Sequence, residues 1–136
     1  MVGAAGYFVW KSQNNSGGNT KDWLTTNQIQ SKTEALNQDV TSISTAASQK
    51  NISQMQTACS KLSTDVKAAQ QVPAGPDEKL SQQFTDALVT LSNSSEHCVK
   101  AIDTGDSTLL TTSGQEATKG LNQLADFVDA AKAYIN

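Results

Sequence analysis

The chain contains no arginine. All ten of its basic side chains are lysines, set against 13 acidic ones for a net charge of −3. Arginine's planar fork is the usual reader of phosphates and base edges, so its absence and the negative balance argue against nucleic acid as a partner. A single histidine and two cysteines among 136 residues leave little from which to build a metal centre or an activated nucleophile. There is no glycine-rich phosphate loop and no Cys-x-x-Cys-His haem attachment motif. No catalytic set can be assembled, and neither an enzyme nor a cofactor is expected. Charged residues are only 17% of the chain and aromatic ones 5%.

What fills the space is uncharged and polar: 52 of the 136 residues are Ser, Thr, Asn or Gln. Such a surface suits an extracytoplasmic protein better than a cytosolic helical one. Residues 1–10 (MVGAAGYFVW) form an uncharged run closed by Lys11. As a helix it would span about 15 Å, half a bilayer core. Tyr7, Phe8 and Trp10 beside Lys11 match the interfacial aromatic belt at the outer end of a membrane helix. Residues 1–11 are therefore expected to be the end of an N-terminal membrane anchor. Residues 12–20 have linker composition, and 21–136 form the folded domain.

Residues 21–71 hold neither glycine nor proline, yet the apolar spacing changes phase within them. Ile29, Thr33, Leu36, Val40, Ile43 and Ala47 share one seam; Ile52, Met55, Cys59, Leu62, Val66 and Ala69 share another. A turn is predicted at 48–51, with Asn51 and Gln54 capping the next helix. Val72 before Pro73 ends that helix. Pro76, Asp77 and Glu78 open a third, with Leu80, Phe84, Ala87, Leu91, Ser94, Cys98 and Ala101 on its seam. Gly105 stops it, and Asp106 caps a fourth. The fourth seam is read as Leu110, Gly114, Ala117, Leu121, Leu124, Val128, Ala131 and Ile135. Gly114 and Ala117 are expected to admit a neighbouring helix closely. The expected fold is all-α, an antiparallel up-down-up-down four-helix bundle with one disulfide.

That disulfide joins Cys59 and Cys98, both on apolar seams. Straight hairpin arms would set the two cysteines about 12 Å apart along the axis, too far for a bond. The pairing therefore demands an unwound start near 77–79 or a bend at 93–96.

Other residues invite sharper readings that fail on ligand count. His97, Cys98 and Glu96 fall short of a zinc site. Met55 and His97 are not on a common face for haem. Asp103 and Asp106 lack the rest of a calcium loop. Asp126 and Asp129 read as solvated, and His97 as a surface histidine beside Lys100.

The run Cys59, Leu62, Asp65, Val66, Ala69, Pro73, Pro76, then Phe84, Ala87, Leu88, Leu91, Cys98 and Gly105-Asp106, resembles small secreted or membrane-anchored bacterial helical domains held by one disulfide. At fold level the chain also resembles periplasmic cytochrome-type four-helix bundles without the haem ligands. The resemblance implies a compartment and a fold but transfers no site residue. The expected function is a non-enzymatic extracytoplasmic domain, tethered to the membrane by its N-terminus, that acts on an unnamed protein partner or cell surface. The alternative is a module holding a small apolar ligand between helices, in space left by Ala69, Ala87, Gly114 and Ala117.

Overall fold

The computed structural model describes residues 16–135. The expected anchor end (1–11) and the first residues of the expected linker lie outside that range. The described residues are all-α, with five helices and no strands: α1 (Ser16–Thr26), α2 (Ile29–Ser48), α3 (Ile52–Gln70), α4 (Glu78–Thr104) and α5 (Ser107–Ile135). The sequence reading called for four. The additional helix, α1, begins at Ser16, so residues 16–20, assigned to the linker, are its first turns.

A left-handed Gln28 (φ 52°) separates α1 from α2. The break is secured locally: the Asn27 amide side chain donates to the Trp23 carbonyl at 2.8 Å, and Lys32 Nζ to the Asn27 carbonyl at 2.7 Å. The redirection lets Trp23 and Leu24, 7% exposed each, face the same core as Ile29.

The turn at 48–51 forms where the phase change placed it. Asn51 Oδ1 accepts from the Gln54 N–H at 3.0 Å. Lys50 takes the left-handed position (φ 54°), and the Lys50 and Asn51 N–H groups close on the Ala47 and Ala46 carbonyls. Pro76 does not open α4. Asp77 is the cap, its Oδ1 accepting from Leu80 N–H at 2.9 Å. At the far end Gly105 (φ 69°) stops α4, and Asp106 caps α5 through Leu109 N–H at 2.9 Å.

Cys59 and Cys98 are bonded, fully buried, with Cα atoms 5.7 Å apart. Of the two demanded distortions, the first is met only at Asp77, which is extended and caps α4; the helix starts at Glu78 and stays helical through 93–96. Eleven residues separate Cys59 from the end of α3 and twenty separate the start of α4 from Cys98. That leaves an axial offset of nine residues, about 14 Å. The seven residues 71–77 absorb it, since an extended chain covers up to about 3.3 Å per residue. α4 thus overhangs α3, and α1 fills the recess beneath the overhang. Trp23 donates from Nε1 to the Pro73 carbonyl at 2.7 Å and meets Phe84 and Phe127 edge-on. Gly75 is required there, because a Cβ would come within 2.7 Å of the indole.

The tightest seam joins α4 and α5. Gly120 sits against Leu91, where an added Cβ would lie 2.7 Å from its side chain. Ser94 and Ser113, both buried, donate to each other's carbonyls at 2.8 and 2.7 Å. This corrects the fourth seam. Its buried residues are Ser113, Ala117, Gly120, Leu124, Phe127 and Ala131, so Leu110, Gly114, Leu121, Val128 and Ile135 stand off it. Gly114 has no neighbour within 4 Å of a would-be Cβ and admits no helix. Ile52, placed at the opening seam position of what is now α3, is 58% exposed.

Candidate functional site

α2 packs mainly on α3 and touches α5 only sparsely. The gap on this flank is a groove of about 1150 Å³, open to solvent along one side. Its floor is Leu24, Ile29, Leu124 and Phe127, with Leu121, Val128 and Ile135 rising along α5; Glu34, Asn37, Asp129 and Lys132 are among the polar residues at its rim. Of the α5 residues displaced from the closed seam, Leu121, Val128 and Ile135 line this groove. The helix carries more apolar surface than its contact with α4 uses, and the surplus faces the open flank. The Ala69, Ala87, Gly114 and Ala117 positions expected to frame a ligand space do not line it. Ala69, Ala87 and Ala117 are buried in close packing instead.

A second cluster lies where α2 meets α3. Asp39 is 3% exposed although it is a carboxylate on a core register. Its Oδ1 pairs with Lys61 Nζ at 3.2 Å, and the same ammonium holds Asp65 Oδ2 at 2.7 Å. The other oxygen, Asp39 Oδ2, is buried without a hydrogen-bond partner. Burial pushes the Asp39 carboxyl up to about 6; the neighbouring Asp65 adds to the rise and Lys61 opposes it. Neighbouring Asp39, then Lys61, hold the Asp65 carboxyl below its usual range.

The remaining polar contacts are structural ties. Tyr134 donates its hydroxyl to Asp77 Oδ2, joining the end of α5 to the start of α4. That bond, then the one from Leu80 N–H, lowers the Asp77 carboxyl, and Asp77 raises the Tyr134 hydroxyl. His97, read as a surface histidine, is 39% exposed, and its Nδ1 lies 2.6 Å from Glu116 Oε1, bridging α4 and α5. Cys98 is in the disulfide and Met55 is buried, so neither meets His97 as a ligand set. Asp103 does not join Asp106, whose carboxylate caps α5. Asp126 and Asp129 are exposed. Among the described residues no three His, Cys, Asp or Glu side chains converge as a metal site would require.

The sequence reading missed Trp23 and Asp39. Trp23 stands in a polar stretch resembling its linker neighbours, and its one signal was aromatic bulk next to Leu24. Asp39 occupies the position beside Val40, where the apolar pattern favoured the valine. Comparison of the chain with protein-family models, curated proteins and solved structures found no match.

Proposed function

We propose that this chain is a non-enzymatic, extracytoplasmic binding domain that seats an amphipathic helix of a partner protein in the groove between α1, α2 and α5. In this reading α2–α5 form an antiparallel up-down-up-down four-helix arrangement, and α1 closes one end. The observation that carries it is the apolar stripe Leu121, Val128 and Ile135 along the groove, the first two half-buried against the core and Ile135 43% exposed, beside a floor of buried side chains. The α5 wall from Leu121 to Ile135 spans about 21 Å, the length of a four-turn helix. An apolar floor flanked by acidic and basic side chains is the setting in which helix-in-groove recognition works. A small apolar ligand fits the geometry less well, since such ligands are usually enclosed on most of their surface and this groove is open on one side.

The disulfide is a weak pointer to an oxidising compartment, and the apolar run at 1–10 supports attachment to a membrane. No described helix is long and apolar enough to cross one. The binding reading is tested by titrating the isotopically labelled protein with 15-residue amphipathic peptides and mapping amide shifts. Saturable shifts confined to the groove lining, lost in Val128→Glu, are expected. Shifts scattered over the surface, or self-association of the protein through the groove, would overturn it.

A further inference from the structure

We propose that Asp39, Lys61 and Asp65 form a proton-operated latch between α2 and α3, closed in mildly acid solution and loosened at neutral pH. The geometry supplies two carboxylates for one ammonium. With both carboxylates ionised the cluster carries one uncompensated negative charge at the helix joint, and Asp39 Oδ2 is buried with nothing to bond. One proton on that oxygen remedies both faults. It turns Asp39 into a donor beside Asp65, whose carboxylate shares the same ammonium, while Lys61 balances the single charge that remains. Buried unpaired polar atoms and unpaired charges are among the more destabilising features a fold can hold, so the protonated cluster is the better joint.

The charged groups acting on Asp39 are Lys61 and Asp65, both from α3; α1 and α5, the other helices packed on α2, bring none to it. The direction of the pH effect follows. Asp39 titrates higher folded (about 6) than unfolded, so its stabilising contribution is complete in acid and is lost as pH rises through 6. Asp65 shifts the other way, and its contribution is lost only on acidification below the usual carboxylate range. Between pH 5 and 7.5 the Asp39 effect therefore governs.

The consequence reaches the groove because α2 supplies one wall of it and rests on α3 more than on α5. That extension depends on the binding reading above; the latch itself does not.

The test follows the carboxyl carbons of the disulfide-intact chain by NMR from pH 4 to 8, with thermal unfolding over the same range. His97→Gln serves as the common background, since a histidine changes charge in this window. Asp39 is expected to titrate near pH 6, and the unfolding midpoint to fall by about 5 °C between pH 5 and 7.5. Asp39→Asn keeps a donor toward Asp65, and should be flat across that range and match the acid form of the parent. Asp65→Asn should bring the Asp39 midpoint down toward ordinary aspartates, an outcome readable even if Asp39→Asn folds poorly. Asp39 titrating with the surface aspartates, or an unchanged pH slope in Asp39→Asn, would overturn the latch. Peptide binding that is insensitive to pH while Asp39 still titrates near 6 would sink only the extension to the groove.

Discussion

Helix α5 meets two neighbours in opposite ways. Toward α4 it offers small residues: Gly120 receives Leu91, and Ser113 trades hydrogen bonds with Ser94. Toward α2 it offers Leu121, Val128 and Ile135, and the two helices barely touch. Small residues let backbones approach until side chains from one helix sit on the other's main chain. Bulky ones without a matching recess hold a neighbour off and leave apolar surface exposed to solvent. The amount of apolar side chain on a face therefore does not tell how tightly that face is closed.

The contrast can be tested from its foundations outward. Replacing Cys59 and Cys98 together by serine removes a 39-residue closure and should cost about 4 kcal/mol on the loop-closure model, measured by denaturant unfolding. It should affect both faces of α5 alike. Gly120→Val acts on the closed face alone, forcing a side chain into Leu91. A loss of about 3 kcal/mol is expected, and a loss under 1 kcal/mol would mean the α4–α5 seam is looser than described. Gly114→Ala, six residues earlier on the same helix, meets nothing within 4 Å. It should stabilise the protein by about 1 kcal/mol through helix propensity, so the two glycines should respond with opposite sign. Val128→Glu on the open face should cost about 1 kcal/mol, because the half-buried valine loses its packing on the core while the new carboxylate can reach water across the groove.

The two faces were not equally legible in the sequence. All seven residues read on the α4 seam, from Leu80 to Ala101, are buried, because burial there coincides with apolar spacing. On α5 the pattern put Phe127 on the apolar face but chose Leu121 over Gly120 and set Val128 on the seam itself. A periodicity reading ranks residues by hydrophobicity, whereas close helix packing selects for small size. The same rule hid Asp39 behind Val40. The cysteine pairing was legible, but the way it is accommodated was not. The axial offset was derived from helix lengths, and its resolution lies in a climbing connection over Trp23, a residue whose partners Pro73, Phe84 and Phe127 are 50 or more positions away. The groove itself is defined by a contact that α2 and α5 do not make, which no single segment's pattern encodes.

The most direct measurement is the relaxation of methyl signals by a soluble paramagnetic probe. The account predicts clear broadening of the half-buried Leu121 and Val128 methyls on the open flank and full protection of Leu91 beneath Gly120. Protection of Leu121 and Val128 equal to that of Leu91 would contradict it, since α5 would then be closed on both sides and no groove would be available to a partner.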